Sequence, residues 1–324
     1  MSQGSDYLER ILVTGGAGFI GHHLVMNALS AGFEVNILDL VDNDNERVKH
    51  LCSLGANYFQ GDVRDQTLVQ QAITGCTYIV HLAAQTSVPA SFKNEELNNT
   101  INIEGTLNVI NAAKQGKISK LILSSSAAVY GDCREIPLKE SSAGHCLSPY
   151  AESKFQNEKD ISSLGNDGIE AYALRFFNVY GSGQNLQSGY SAVIPSFITK
   201  LVSKEAPDIY GDGVQTRDFI HVQDVVSLIL TIISSENSSK DKVFNVASQT
   251  QLSVNKLFST IASSLKQKQQ DWRNLEPIRK PAREGDIIHS CGDISLTTSI
   301  FDWQPKISIT QGIDDLVDEY LGAD

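Results

Sequence analysis

The stretch Thr14-Gly15-Gly16-Ala17-Gly18-Phe19-Ile20-Gly21 constrains this 324-residue chain more than any other. It directly follows the aliphatic run Ile11-Leu12-Val13 and leads into Phe19 to Ala31, which reads as a helix closed by Gly32. Gly16, Gly18 and Gly21 meet the pattern G-x-G-x-x-G, and Gly15 supplies the related G-x-x-G-x-x-G. Such glycines allow a tight turn, a close approach of backbone to a pyrophosphate, and tight packing of helix on strand. The helix N-terminus adds free N–H groups and a partial positive charge. Taken alone, the motif also describes an ordinary glycine-rich turn. Here the next strand, Glu34 to Leu38, ends at Asp39, eighteen residues after Gly21. A carboxylate there accepts hydrogen bonds from both ribose hydroxyls and repels a 2′-phosphate, which favours NAD over NADP.

Further strands are expected at Asn57 to Gln60, Tyr78 to Leu82 and Leu121 to Ser124, each separated by a helical stretch. Strands and helices alternating in this way imply βαβ units. The fold class expected is α/β, a Rossmann-type doubly wound parallel sheet covered on both faces. Beyond about Arg175 the pattern loosens, with Gly181, Gly183, Gly189, Gly211 and Gly213 marking loops. Helices recur at Val193 to Val202, Gln223 to Ser234, Val254 to Lys266 and Gln311 to Leu321. No linker separates the halves. A smaller C-terminal lobe growing from the sheet is expected rather than an independent module.

Charge narrows the partners. Twenty-six Lys and Arg stand against 38 Asp and Glu, a net charge of -12, and no dense basic cluster exists. Nucleic acid is therefore not an expected partner. The five cysteines, at 52, 76, 133, 146 and 291, show no Cys-x-x-Cys spacing, so neither a disulfide framework nor a metal site is expected. The N-terminus lacks a signal-peptide core, and the apolar run Val225 to Ile233 is too short to span a bilayer. No membrane association and a cytoplasmic location are the expectation.

Tyr150 and Lys154 are spaced i, i+4 after Ser148-Pro149, a plausible helix start, so their side chains share a helix face. A tyrosine ordinarily titrates near ~10, and both a lysine and a nicotinamide ring favour its phenolate. Tyr150 then becomes a usable general base. Ser124-Ser125-Ser126 puts hydroxyls at the C-terminal end of a strand, where sites in such sheets lie. Asp62 and Val63, and Leu82, Ala83 and Ala84, follow two other strands at the rim of the same crevice. Asp62 reads equally as a contact to adenine or as a turn cap.

With these residues in place the chain resembles the extended short-chain dehydrogenase/reductases, and within them the NAD-dependent nucleotide-sugar epimerase/dehydratase group. The segments that carry the resemblance are Thr14 to Gly21, His81-Leu-Ala-Ala84, Ser124-Ser-Ser-Ala-Ala-Val-Tyr-Gly131, Tyr150-x-x-x-Lys154 and Arg175-Phe-Phe-Asn-Val-Tyr-Gly181. Val193-Ile-Pro195, Tyr210-Gly-Asp-Gly213, Thr216-Arg-Asp-Phe219 and Arg283-Glu-Gly-Asp286 extend it through the C-terminal half. The resemblance implies proton-transfer roles for Ser126, Tyr150 and Lys154. It implies NAD contacts at Gly15, Gly18, Phe19, Ile20, Gly21, Asp39, Asp62, Val63, Leu82, Ala83, Ala84, Gln85, Asn102, Ser124, Tyr150, Lys154 and Phe177. Substrate contacts are implied at Ser87, Ser126, Tyr150, Asn178, Val193, Ile194, Tyr210, Arg217, Arg283, Asp286 and Ser290. Two arginines suit a diphosphate through charge-assisted bonds. The implied division is an NAD-binding domain over 1–176, rejoined around 214–247, with a nucleotide-sugar lobe over 177–213 and 248–324. A homodimer through helices at about 98–115 and 150–164 is implied by the same analogy.

Within the group, dehydratases carry an Asp-Glu pair just before the Val-Tyr-Gly segment, and decarboxylases a Glu. Here those positions are Ala127 and Ala128, and a methyl group cannot shuttle a proton. The pattern is most like UDP-hexose 4-epimerases, which oxidise C4 transiently with NAD and return the hydride to the other face. A UDP-uronate 4-epimerase, an NDP-sugar reductase and a non-catalytic NAD-sensing module are the alternatives. Ala90 replaces a frequent Arg, and Ser295-Leu-Thr-Thr298 lacks a usual Lys. In the family, the residue four positions after the Arg-x-Gly-Asp aspartate gates the C2 substituent of the hexose. Counting from Asp286 reaches Ser290, a small side chain that leaves room for an N-acetyl group. UDP-GlcNAc and UDP-GalNAc are thus the expected pair, with UDP-Glc and UDP-Gal alongside.

Overall fold

A computed structural model describes residues 9–184, 193–269, 272–282 and 287–322. The first half runs β1 (Arg10–Thr14), α1 (Phe19–Ser30), β2 (Glu34–Asp39), α2 (Glu46–Ser53), β3 (Asn57–Gln60), α3 (Gln66–Ala72) and β4 (Tyr78–His81). Two short helices follow, α4 (Val88–Lys93) and α5 (Glu95–Asn99), then a π-helical turn at Thr100–Glu104 and α6 (Gly105–Gln115). Next come β5 (Lys120–Ser126), α7 (Pro149–Asp160), β6 (Glu170–Phe176), β7 (Asn178–Tyr180), α8 (Val193–Val202), β8 (Asp208–Tyr210) and β9 (Thr216–His221). The chain closes with α9 (Val222–Ser234), β10 (Val243–Val246), β11 (Gln251–Ser253), α10 (Val254–Lys268), β12 (Ile278–Lys280), α11 (Ser295–Phe301) and α12 (Ile309–Gly322).

Seven strands form one sheet in the order β10-β6-β5-β4-β1-β2-β3. β3, β2, β1, β4 and β5 pair in parallel along their registers. Ile11, Leu12 and Val13 in β1 and Ile79 and Val80 in β4 have no exposed surface. Continuous aliphatic runs of this kind are what a strand covered on both faces requires. The strand order reverses between β1 and β4, and a crevice beyond their C-terminal ends is the usual ligand position in such a sheet. The Rossmann-type α/β class read from the sequence is the fold observed.

Two compact units divide the chain. The first comprises Met1–Ser125, Ser148–Leu174 and Val226–Val243; the second comprises Ser126–Leu147, Arg175–Val225 and Phe244–Asp324. These boundaries cut the chain more often than the division implied by the resemblance, which kept 1–176 together. The first unit's core gathers Leu12, Leu38, Ile79, Val109, Leu121 and Leu164. The second unit has its own core, including Ile194, Phe197, Phe219, Leu257, Ile313 and Val317. It also carries a three-stranded sheet, β11-β9-β7, and a two-stranded one, β12-β8.

Beyond β5 the structure adds strands that the sequence reading did not name, β6 and β10 of the main sheet among them. Gly32 lies at φ +91 just past α1, in keeping with its role as a helix stop. The helix expected at about 98–115 is interrupted by the π turn, which widens the helix by one residue. Three-residue strands such as β7, β8, β11 and β12 escaped the periodicity reading, because they are too short to show an alternation. Among the described residues no helix is long and apolar enough to cross a membrane, and no group of three or more His, Cys, Asp or Glu could hold a metal ion.

Candidate active site

The glycine loop packs against the ends of β2 and β4. Gly15 N–H donates to Leu38 O at 2.9 Å, and Gly15 takes φ +72, a region that favours glycine. A Cβ on Gly15 would stand 2.8 Å from Ala83 N, and one on Gly21 would run into the Gly15 carbonyl. Gly18 caps α1 without a side chain, so the first-turn N–H groups of Phe19 and Ile20 meet no capping oxygen from it. That arrangement fits a pyrophosphate. The Asp39 carboxylate lies beside the loop, where Oδ2 accepts from Ala17 N–H at 2.9 Å and Oδ1 from Val41 N–H at 3.2 Å. Backbone left open by glycines, an uncapped helix start and an adjacent carboxylate together suit NAD. Asp62 is engaged by Arg64, which donates from its backbone N–H and from Nε, each at 2.9 Å. The Arg64 side chain holds the Asp62 carboxyl below the usual carboxylate range. The Val63 side chain packs into the first unit's core.

Helix α7 begins where the sequence provides a start. Pro149 occupies the first turn, and the Ser148 hydroxyl accepts from Ala151 N–H at 3.2 Å. Tyr150 and Lys154 follow on one face, both buried. Lys154 Nζ donates to Ser124 O at 2.8 Å and to Ser124 Oγ at 3.3 Å, which ties the helix to β5. Burial brings the Lys154 ammonium down from 10.5 to about 8. A cation one helical turn from a phenol stabilises the phenolate, which is the state a general base needs.

The segment after β4 is held by side chains rather than by regular structure. Asn102, in the π turn, accepts from Gln85 N–H at 2.8 Å and donates to Gln85 O at 3.1 Å. Gln85 Oε1 accepts from Ser87 N–H at 2.6 Å, and the Ser87 hydroxyl caps α4 through Ala90 N–H at 3.2 Å. Asn102 Nδ2 also donates to Ser153 Oγ at 3.1 Å on α7. Thus Gln85, Ser87 and Asn102, named from sequence as contacts, are joined to one another and to the tyrosine helix. Leu82 and Ala83 lie at the end of β4, with Leu82 N–H donating to Thr14 O at 3.1 Å.

In the second unit Ser126 closes β5, and its Oγ accepts from Ala128 N–H at 3.2 Å, leaving its own proton to donate. The short turn Ala127–Tyr130 carries the two alanines. Phe177 is buried, with its ring 6.1 Å from that of Tyr130. Tyr130 donates to Asn245 Oδ1 at 2.6 Å and accepts from Arg175 Nη1 at 2.9 Å. Asn178 opens β7 opposite Phe219 on β9. Arg217 on β9 donates to Thr216 O at 2.8 Å, and the Tyr210 carbonyl accepts from Gln215 Nε2 at 2.8 Å. Ile194 is fully buried in the second core and Val193 packs against it. Ser290 is buried, and its N–H donates to Thr216 O at 3.2 Å, so it sits beside the strand of Arg217. Arg283 and Asp286 lie outside the described residues.

Sequence reasoning missed Asp218. Its side chain is fully buried and accepts from Ser248 N–H and Oγ, each at 2.7 Å, and from Gly292 N–H at 3.2 Å. Burial raises its carboxyl. An aspartate directly before the apolar pair Phe219-Ile220 was the available signal.

The family described as NAD dependent epimerase/dehydratase matches residues 11–247. A putative UDP-glucose 4-epimerase of Methanocaldococcus jannaschii is 35% identical over 306 residues, covering 94% of this chain and 95% of its own. Among solved structures, the UDP-N-acetylglucosamine 4-epimerase of Methanobrevibacter ruminantium in complex with UDP-N-acetylmuramic acid superposes with a TM-score of 0.89 at 32% identity, covering 98% of this chain and 99% of that one. The Thermus thermophilus UDP-glucose 4-epimerase complex with NAD gives 0.85 at 29% identity, with 97% and 100% covered.

Proposed function

The chain belongs to the NAD dependent epimerase/dehydratase family, and within it we propose that the protein is a UDP-hexose 4-epimerase acting on UDP-GlcNAc and UDP-GalNAc, and also on UDP-Glc and UDP-Gal. The observation that carries this reading is the pairing of an intact Tyr150 and Lys154, the latter bound to Ser124, with Ala127 and Ala128 directly after β5. A site with a proton-transfer tyrosine but no carboxylates in that turn suits oxidation and reduction at one carbon. It does not suit elimination or decarboxylation. Relatives named 4-epimerase support this choice, while others are named UDP-glucuronic acid decarboxylase and dTDP-D-glucose 4,6-dehydratase, so the two alanines carry it.

NAD, when bound, supplies the hydride acceptor and donor at C4. Tyr150 takes the proton of the sugar 4-hydroxyl, directly or through Ser126, and returns it after the sugar has turned. Lys154 favours the phenolate and holds α7 on β5. Arg217 and Arg283 clamp the diphosphate, with Asn178 and Ile194 beside the nucleotide. A grip on the diphosphate leaves the hexose free to present either face. The active form we propose is a homodimer in the cytoplasm, paired through the helices at about 98–115 and 150–164.

Proton NMR of UDP-GlcNAc, UDP-Glc and UDP-glucuronate incubated separately with the protein tests the reading. The expected result is a new anomeric signal from the C4 epimer of the first two. No 4-keto-6-deoxy sugar and no carbon dioxide should form. Either product at rates comparable with epimerisation would overturn it, as would epimerisation of the uronate alone.

A further inference from the structure

We infer that His81 is a positioning residue that couples the glycine loop to the tyrosine helix through a single imidazole tautomer. The inference deepens the reading above and rests on the roles proposed there for Tyr150 and Lys154.

His81 ends β4 and is buried, as are Thr14, Asn102 and Thr106 around it. Its Nδ1 lies 2.6 Å from Thr14 Oγ1 and its Nε2 lies 3.0 Å from Thr106 Oγ1. The directions of these bonds follow from their neighbours. Thr106 Oγ1 donates its one proton to the Asn102 carbonyl at 2.7 Å, so toward His81 it can only accept. Nε2 therefore carries the hydrogen. An imidazolium at this depth would need a carboxylate partner, and the bonded partners are two hydroxyls. Nδ1 is then bare and accepts from Thr14 Oγ1, which itself accepts from Ala83 N–H at 3.2 Å. Burial, with Lys154 adding to it, brings His81 down to about 3, in agreement with a neutral ring.

What the ring joins gives the arrangement its function. On one side Thr14 is the residue before Gly15, at the point where the loop meets Ala83. On the other side the Asn102 carbonyl also accepts from Asn157 Nδ2 at 2.9 Å, and Asn157 lies on α7 with Tyr150 and Lys154. The relay thus runs from the loop before α1, through the imidazole, to the π turn and the tyrosine helix. Displacing the ring moves both ends.

Two near-isosteric variants separate the halves. His81→Asn keeps an acceptor near the position of Nδ1 and loses the Thr106 bond. His81→Gln keeps a donor near Nε2 and loses the Thr14 bond. The expected result for His81→Gln is NAD release about tenfold faster, the scale of one lost buried hydrogen bond, with amide exchange in α7 as in the wild type. For His81→Asn the expectation is wild-type NAD release, about tenfold faster amide exchange in α7, and a lowered kcat at saturating NAD. Equal effects of the two variants on both readouts would reduce His81 to packing and overturn the inference. Nitrogen-15 NMR of the wild-type imidazole at neutral pH decides the tautomer even where a variant does not fold. Protonated Nε2 with bare Nδ1 is expected, and the reverse tautomer or an imidazolium overturns it. NAD release, amide exchange and the imidazole tautomer are all read without the sugar, so failure of the epimerase assay alone leaves the relay standing.

Discussion

The Asp218 carboxylate accepts a hydrogen bond from the backbone N–H of Gly292, 74 residues further along the chain, at 3.2 Å. A second tie, Ser290 N–H to Thr216 O at 3.2 Å, fastens the same segment two residues earlier. On its other side Leu138 N–H donates to Cys291 O at 2.8 Å. The backbone at Ser290 is therefore held from both sides.

Ser290→Tyr tests the proposed gate directly. A tyrosine ring introduced on a clamped backbone fills space that an N-acetyl group would need. Activity on UDP-GlcNAc is expected to fall at least about a hundredfold, while activity on UDP-Glc survives. Steady-state rates on the two substrates check it, and equal loss on both would remove Ser290 from the specificity reading.

Asp218→Ala strips the acceptor from three buried or half-buried donors. Each donor left without a partner costs about 1–3 kcal/mol, so a loss of about 3 kcal/mol or more is expected in urea unfolding. In the surviving folded protein the preference between acetylated and non-acetylated substrates should narrow, because Ser290 is no longer fastened at Gly292. An unchanged preference would mean that the Thr216 tie is sufficient by itself.

Tyr150→Phe should lower turnover on the order of a hundredfold or more, with NAD still bound and the thermal midpoint little changed. The hydroxyl is the only group lost, and the buried ring remains. Absorbance of bound cofactor and circular dichroism verify the second half of that statement. Retained activity would place the base elsewhere.

Lys154→Met links burial to pH. The Lys154 ammonium falls from 10.5 to about 8 in the folded protein. Through that window the unfolded chain still binds the proton and the folded chain has released it, so the wild type gains stability as pH rises from 8 to 10.5. The variant has no such gain. Thermal midpoints measured from neutrality to about pH 10 should thus shift in favour of the wild type, while the variant is inactive throughout. Parallel curves would show that the ammonium titrates as it would in water.

The glycine loop, Asp39 and the Tyr150 and Lys154 pair were legible in the sequence because each rests on local geometry. A turn, a strand end and a helical repeat are each defined within a few residues of sequence. The same holds for the alternation that defines the sheet, since aliphatic runs such as Ile11-Leu12-Val13 need nothing distant to be read. His81 and Asp218 were visible only as letters inside motifs. Their partners, Thr14, Thr106, Ser248 and Gly292, lie 25 to 74 residues away. The reason is physical. A buried polar side chain takes its meaning from the donors and acceptors that surround it, and those are assembled only when the chain folds. Sequence alone determined the sheet, the glycine loop at the end of β1 and the shared helix face of Tyr150 and Lys154. Tertiary structure decided which nitrogen of His81 carries its hydrogen and what holds Ser290 in place.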